Sequence, residues 1–317
     1  MLTYSTLQDR PREFLAATGL THDEFARVLP AFAAAYVLCY PQDKTWEGKV
    51  RRRRLGGGTA GVLSQMEDKL LFILVYQKTN PLQTMHGLQF ELRQSQTNYW
   101  IHHLLPVLQR ALAALGVAPE RDASRVATSP LALEGAPDGV IDGTERRRQR
   151  PTDAAQQKEH DSGKKKTHTD KNLLLVNEHT TTVIYLGPTV AGKMHDKKAA
   201  DVAQIAYPPN ATLGKDTGFQ GYEPAGVLTQ QPKKKPKGQE LSVADRFLNS
   251  LISSARVVVE NVIAGVKRCR IVKDVLRLTT EGISDLVMEI ACGLHNLRVS
   301  CRHPFPTFDV LSLLSSG

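Results

Sequence analysis

The sequence lacks any apolar run approaching the roughly 20 residues that a membrane-spanning helix needs. The longest candidates, Ala31–Tyr40 and Leu70–Tyr76, are much shorter. The N-terminus has no basic segment followed by an apolar stretch, so we expect no secretory signal. Cysteine is scarce, with four residues and no CxxC spacing, which favours a reduced cytoplasmic compartment. These absences exclude the membrane, secreted and fibrous classes.

Zinc-ligand spacing is also missing. The four cysteines and ten histidines form no pair at ligand spacing apart from the adjacent His102 and His103, so we expect no zinc site.

Positive charge is present in excess and is clustered. The chain has 317 residues, with 41 Lys and Arg against 32 Asp and Glu, a net charge of +9. A single basic run is usually a solvated surface, but several runs in one chain favour a polyanionic partner such as nucleic acid. The runs are Lys49–Arg54, Arg146–Arg150, Lys164–Lys166, Lys233–Lys237 and Lys267–Arg270.

The region from Thr21 to about Gly116 has the apolar spacing of helices. The pattern predicts a helix over 82–90, a tight turn near 91–94 and a helix from 95, with Gly87 permitting a close crossing. A helix-turn-helix has this form, and its second helix would expose DNA-reading side chains. A plain helical hairpin, with core from Tyr99, Trp100 and Ile101, also fits. The DNA-reading candidates are Gln94, Gln96, Thr97, Asn98 and His102.

A change in composition divides the chain into two predicted domains. The first is helical and the second contains strands and helices, so the predicted fold class is α/β or α+β. Residues 1–116 form the helical domain, and 117–137 lack periodicity and are predicted to be a linker. In the second domain, 138–300, the runs at 172–177 and 181–186 are predicted to be paired strands. Helical spacing returns over 242–276 and 279–297, and residues 301–317 are expected to be a loose tail.

Three acidic residues in this second domain could carry chemistry. Asp142 and Asp216 each end a strand-like run, and Glu260 lies on an apolar helix. Magnesium prefers carboxylate oxygens, and two such ions can activate a water or a 3′-hydroxyl and stabilise the leaving oxygen. Each acid also fits an ordinary turn or a surface ion pair. Spacing alone leaves both interpretations open.

Several motifs, in order, resemble the DDE transposases of bacterial insertion sequences, in the branch similar to the Harbinger transposases. The resemblance covers about residues 20–300 and includes the helix-turn-helix region before the nuclease domain. The matching stretches are VIDGTE at 140–145 with Arg150-Pro151, SGKKKTHT at 162–169 with Lys171-Asn172, GKMHDK at 192–197, DTGFQG at 216–221, and the spacing of Arg256, Glu260 and Lys267.

The resemblance implies a ribonuclease-H-like core, a mixed sheet flanked by helices, after an all-α helix-turn-helix domain. It implies that Asp142, Asp216 and Glu260 are catalytic and hold two Mg²⁺ (or Mn²⁺) ions. Arg256 and Lys267 would contact phosphate near the scissile bond. Ser253 stands where related enzymes carry tyrosine, and its hydroxyl is too short to replace that reach.

The second catalytic acid has a competitor, because the pair His195 and Asp196 is also characteristic. We favour Asp216 because it follows a strand-like run, whereas Asp196 precedes the start of a helix. His195 and Asp196 are then expected to orient substrate or to cap that helix.

The basic runs acquire expected roles. Arg146–Arg150 and the three lysines Lys164, Lys165 and Lys166 would line a DNA channel beside the metal site. The run Lys49–Arg54 would follow the DNA backbone next to the helix-turn-helix. For Lys233–Lys237 a DNA contact and a plain surface loop fit equally well.

The resemblance implies a transposase that binds the terminal inverted repeats of its own element, cleaves there and transfers the 3′ end to target DNA. The expected partners are double-stranded DNA and a second copy, in a homodimer or larger synaptic complex at the bacterial nucleoid. The rivals are a decayed or recruited DNA-binding protein and a nuclease of the same fold without strand transfer. Genome context would identify the repeats.

Overall fold

Helices build the N-terminal region of the protein, whose structure is a computed structural model. The structure describes residues 1–41, 43, 49–50, 61–133, 138–233 and 240–302. The helices of this region are α1 Tyr4–Leu7, α2 Pro11–Thr18, α3 His22–Cys39, α4 Met66–Thr79, α5 Gln83–Gln89 and α6 Gln94–Ala114.

Local sequence explains where these helices begin and how closely they pack. Thr21 and Glu24 form a reciprocal capping box at the start of α3, as the sequence predicts. The crossing of α5 and α6 depends on Gly87, because a Cβ there would lie 2.7 Å from Thr97 Oγ1. The predicted helix, turn and helix are therefore confirmed, with bounds shifted by one residue.

The segment expected to be a linker is packed over its described part, residues 117–133. It contains a 3-10 helix, Ala123–Thr128, and α7, Pro130–Leu133. Glu120 pairs with a strand through both of its backbone groups, at 2.8 Å to Ile184 and 3.0 Å to Leu186. Val126 is fully buried. The boundary between domains stays a prediction.

A mixed sheet forms the centre of the second region. Over the described residues it has seven strands: β1 Gly139–Arg147, β2 Asp161–Ser162, β3 Thr167–Asn177, β4 Val183–Leu186, β5 Val190–Ala191, β6 Thr212–Lys215 and β7 Leu228–Gln230. The order along the main path is β2-β3-β1-β6-β7, and β4 and β5 also pair with β3. β3 is antiparallel to β1 and β4, while β6 is parallel to β1 and to β7.

Helices flank this sheet, which confirms the expected α/β arrangement of a mixed sheet and helices. The remaining helices are α8 Ala154–His160, α9 Asp196–Ala203, α10 Val243–Val266, α11 Arg270–Lys273 and α12 Ile283–Arg302. The helical stretch predicted over 242–276 is thus two helices and an extended end. The tail at 303–317 lies outside the described residues.

One apolar cluster joins the two regions. α12 packs on α6 and on β4, and residues of all three belong to the same buried cluster. Gly293 of α12 makes this contact close, because a Cβ there would lie 3.1 Å from Leu112 of α6. A second, smaller cluster lies on the other face of the sheet, around Ile141 and Phe219. Across the described ranges, no helix is long and apolar enough to cross a membrane.

Candidate active site

Asp142 and Asp216 lie side by side at one edge formed by two parallel strands. The register pairs Val140 with Gly214 and Ile141 with Lys215, so the next residues on β1 and β6 are the two aspartates. Both side chains are half-buried. Because side chains alternate between faces along a strand, both aspartates share the face of Val140. The predicted convergence is seen for this pair, but Asp142 lies within β1 and only Asp216 follows the end of its strand.

Local hydrogen bonds fix each carboxylate. Asp142 Oδ1 accepts from the Gly143 amide at 2.7 Å. Asp216 caps the 3-10 helix Thr217–Phe219, and its Oδ1 accepts from the Gly218 amide at 2.7 Å. Its backbone carbonyl accepts from Gln231 Nε2 at 2.5 Å. The second aspartate is thus held from both its side chain and its main chain.

α10, which carries Glu260, covers the same face of these strands. Val259 and Val262 of the helix belong to the apolar cluster that contains Val140, and α10 packs on both β1 and β6. Lys267, just after the helix, donates to the Glu145 carbonyl at 3.2 Å. Glu260 itself is exposed.

The positions of Glu260 and Asp142 can be compared through the contacts at the end of α10. The chain after α10 meets the end of β1, since the Leu276 amide donates to the Arg147 carbonyl at 3.4 Å. Glu260 lies seven residues before Lys267, or about 10 Å along a helix. Asp142 lies three residues before Glu145, or about 10 Å along a strand. Glu260 and Asp142 are thus set back by similar lengths of chain from the contact between Lys267 and Glu145.

Asp196 approaches the same edge from the opposite face of the sheet. A Cβ at Gly143 would lie 2.5 Å from Asp196 Oδ1, and one at Gly218 would lie 3.1 Å from Oδ2. Asp196 pairs with the buried Lys171, with Nζ 2.9 Å from Oδ1. Lys171 also donates to the Met194 carbonyl at 2.7 Å. Asp196 thus pairs with a buried lysine and also lies close to Asp216, whose Oδ1 would be 2.9 Å from the same Cβ at Gly218.

His195 has no visible part in capping. It occupies the N-cap position of α9, but its side chain makes no capping hydrogen bond. The predicted helix begins at Asp196 itself, and the role of His195 and Asp196 in orienting substrate stays a prediction.

The donor atoms at this edge suit a hard divalent cation, because carboxylate oxygens are the ligands that Mg²⁺ takes. Among the described residues, no group of three His, Cys, Asp or Glu side chains is arranged to hold an ion. Asp142 and Asp216 are nevertheless two oxygen donors on one face, with Glu260 on the helix above them. The residues fit such an ion in donor type.

Basic side chains surround the edge. Lys164 to Lys166 form the exposed turn between β2 and β3. Burial lowers the pKa of Lys267, and the nearby charges of Lys165 and Arg146 lower it further. Lys165 and Lys267 therefore act on the same region of the surface.

Arg146 does not line a channel, so that expectation is wrong for this residue. It is only 4% exposed and lies on the inner face of β1. Its guanidinium donates to Asn172 Oδ1 at 3.1 and 2.6 Å, to Thr189 Oγ1 at 3.0 Å and to the Ser284 carbonyl at 3.0 Å. Arg147, the next residue, is exposed.

The predicted DNA-reading helix also divides into exposed and internal residues. Gln94 and Gln96 are exposed, whereas Thr97 is fully buried and donates to the Arg93 carbonyl at 3.1 Å. The prediction that Thr97 faces outward is wrong, because the close crossing at Gly87 covers it. Asn98 is partly buried and accepts from Gln83 at 2.9 Å. His102 is half-buried.

Some expected contacts lie outside the described residues. These are Arg51–Arg54, Lys234–Lys237, and the side chains of Ser253 and Arg256 on α10.

Two residues that hold the site carried little sequence signal. Gln231 follows a short strand and resembles any loop residue. Lys215 precedes Asp216 within an apolar run, and its side chain is buried against Tyr222 and Glu223. The sequence signal for Lys215 was its position, as a charged residue inside an apolar run directly before Asp216.

Comparisons with known proteins agree with this geometry. Residues 141–296, which contain Asp142, Asp216 and Glu260, match the family described as DDE superfamily endonuclease. The chain is 27% identical over 200 residues to the "Probable transposase for insertion sequence element IS702" of Microchaete diplosiphon, covering 62% of this chain and 68% of that protein. No solved structure matches. Residues 141–296 thus match the DDE superfamily endonucleases, and the chain is an enzyme similar to an insertion-sequence transposase.

Proposed function

We propose that the protein is the transposase of an insertion sequence, which binds the element's terminal inverted repeats, cleaves them and transfers the 3′ ends to target DNA. The observation that carries this proposal is the parallel register of β1 and β6, which makes Asp142 within β1 and Asp216 just after β6 neighbours, beneath the helix that bears Glu260. The IS702 relative supports the insertion-sequence context.

The nuclease region is proposed to be ribonuclease-H-like. Its support is the strand order β4-β3-β1-β6-β7, with the first three antiparallel and β6 and β7 parallel to β1. In this arrangement, chain crossovers bring two strands to the edge of β1 and place their ends beside Asp142.

Asp142, Asp216 and Glu260 are proposed to hold two divalent cations, Mg²⁺ or Mn²⁺, as DDE superfamily endonucleases use divalent metal ions. Such ions activate a water or a 3′-hydroxyl and stabilise the leaving oxygen. The protein's own contribution is positioning. Gln231 and the Gly218 amide fix Asp216, and Lys171 keeps Asp196 on the opposite face.

DNA is proposed to cross the face that α10 covers. Lys267 and the exposed turn Lys164–Lys166 would neutralise phosphates near the scissile bond. Gln94 and Gln96 at the start of α6 and the neighbouring Asn98 are proposed to read bases. Gln94 and Asn98 would exchange their present hydrogen bonds with Gln83 for bonds to a base. Because the two ends of an element are processed together, we propose that the active form is a homodimer or a larger synaptic complex.

The test begins with the DNA that flanks the gene. Inverted repeats bounded by short direct duplications would supply a labelled substrate for binding and cleavage in Mg²⁺. Asp142→Asn should keep repeat binding and reduce cleavage at least roughly 100- to 1000-fold, because it removes a charged metal ligand.

The matched control is Asp138→Asn, an acid just before β1 and four residues from Asp142 that pairs with His179. This variant should cleave like the wild type. If Asp142→Asn still cleaves, the site is misassigned. If the wild type binds the repeats but cuts nothing in either metal, the decayed or recruited DNA-binding protein becomes the better interpretation.

A further inference from the structure

The described part of the protein has a cavity of about 510 Å³ and another of about 630 Å³. The larger one opens at the start of α6, beside the residues proposed to read DNA. Its walls are mainly apolar and aromatic, and Ser95 and Gln96 add polar edges. The lining includes Val62, Leu92, Ser95, Gln96, Tyr99 and Trp100.

The stacked rings of Tyr40, His103 and Tyr99 form an aromatic column that leads from the core to this cavity. The Tyr40 and His103 rings stack with centroids 3.4 Å apart and planes at 14°. His103 stacks in turn on Tyr99, at 5.0 Å and 23°. Burial lowers the pKa of His103 to about 4, so its ring is neutral near pH 7 and stacks as an uncharged aromatic. The column therefore ends at Tyr99.

Tyr99 carries this column into solvent, with 56% of its surface exposed. The Trp100 ring meets Tyr99 edge-on, at 5.5 Å and 74°, and forms the adjoining wall. Beneath Trp100, the buried Lys69 places its ammonium 5.8 Å from the ring centroid. This contact fixes the indole from the inner side. A flat aromatic ligand would thus meet a ready-made stacking surface.

The chemistry of the lining favours a base over a phosphate or a peptide anchor. Among the described residues, those that line this cavity carry no charge, so they offer a phosphate no opposite charge to pair with. Gln96 uses its oxygen to accept from the Arg93 amide at 3.0 Å, which leaves its NH₂ group to donate to a ring edge. Exposed Gln94 lies on the same helix turn.

We propose that this cavity binds a single unpaired nucleobase, which stacks on Tyr99 against Trp100 as the next ring of the column. The site deepens the proposed function, since it rests on DNA being the partner. Its use would be to capture a base that leaves the duplex near the recognised sequence. Base–aromatic stacking of this kind is sequence-tolerant and contributes about 1–3 kcal/mol per base.

The chain offers a direct reporter, because it has two tryptophans, Trp46 and Trp100. In a Trp46→Phe background, Trp100 emission reports the cavity alone. The full-length protein is titrated with single-stranded dT₁₂, with a random 12-base-pair duplex, and with that duplex carrying one unpaired base. Anisotropy of labelled DNA measures binding in parallel.

Quenching of Trp100 by dT₁₂ and by the bulged duplex, but not by the intact duplex, is expected. Tyr99→Ala should weaken dT₁₂ binding roughly 5- to 150-fold, the change that corresponds to about 1–3 kcal/mol. Tyr99→Phe should bind like the wild type, because it keeps the ring. The matched control is Phe247→Ala on α10, which removes another exposed aromatic ring, 65% exposed, and should change nothing.

Binding without any change in Trp100 emission would overturn the proposal, as would equal affinities of Tyr99→Ala and Tyr99→Phe for dT₁₂. Thermal melts of both variants check that the fold is kept. The outcome is separable from the transposase proposal. Loss of cleavage in Asp142→Asn with intact quenching supports both, while quenching without any cleavage by the wild type overturns only the transposase proposal.

Discussion

Arg146 and Arg147 are neighbours in one basic run, yet their substitution should have opposite consequences. Arg146 is buried and makes four hydrogen bonds, to Asn172, Thr189 and the Ser284 carbonyl. Arg147 faces solvent. Replacing Arg146 with methionine removes the charge and keeps most of the volume. We expect Arg146→Met to destabilise the fold and Arg147→Met to leave stability unchanged.

The magnitude follows from what Arg146→Met leaves behind. A hydrogen bond from a charged donor contributes about 1.5–3 kcal/mol net, and a buried acceptor left without its donor costs about 1–3 kcal/mol. Asn172 is fully buried, and its Oδ1 receives two of the four bonds. Asn172 Nδ2 still donates to the Gly187 carbonyl and to Thr189 Oγ1, both at 3.0 Å, so the amide group stays anchored. The loss should therefore be about 3–5 kcal/mol, the range for breaking a buried polar network.

Urea unfolding monitored by circular dichroism measures this difference, with DNA affinity followed over a range of salt. Arg146→Met should shift the unfolding midpoint strongly, and the folded fraction should keep the wild-type salt slope. Arg147→Met should leave the midpoint in place and reduce the slope by about one if this arginine meets a phosphate. Equal midpoints for the two variants would refute the assignment of Arg146 as internal.

Two further substitutions test the packing of the site and the effect of pH. Gly143→Ala places a Cβ 2.5 Å from Asp196 Oδ1, so it should lower the free energy of unfolding by about 1–3 kcal/mol and reduce cleavage. The control is Gly163→Ala, whose Cβ meets nothing within 4 Å and which should change neither quantity in the same melts and cleavage assays. Burial lowers the pKa of His295 from 6.5 to about 4. The unfolded chain therefore binds a proton that the folded chain does not, so stability should fall between pH 6.5 and 4, by up to about 1.4 kcal/mol per pH unit from this group. His295→Gln should flatten that fall in urea titrations at several pH values, and an unchanged pH dependence would contradict it.

The sequence predicts the acids well because their signal is local. Asp142 and Asp216 each follow an apolar run, and parallel strand ends meet at one edge. The competition with Asp196 could not be resolved in this way, because the face of the sheet on which a side chain lies depends on the register between β1 and β6. In the structure Asp196 forms an ion pair with Lys171, and the choice of Asp216 as the second acid stays a prediction.

Exposure was the harder quantity to predict. Arg146 and Thr97 each belong to a polar run, and composition alone assigns such a run to the surface. Arg146 is buried because it contacts residues far away in the chain, such as Ser284. Thr97 is buried because α5 and α6 cross closely at Gly87. The packing of residues 117–133 could not be predicted for the same reason. Glu120 pairs with β4, and nothing in the sequence of this segment indicates that partner.

The shared core of α6 and α12 limits how this protein can be divided or exchanged. The last helix of the nuclease region is also a wall of the helical region, and Gly293 fits closely against Leu112. A nuclease fragment cut out at residue 117 would carry a bare apolar stripe along α12. Exchange of the helical region between related transposases would succeed only where the incoming α6 matches that stripe. The packing of α6 on α12 thus requires that the two regions be changed together.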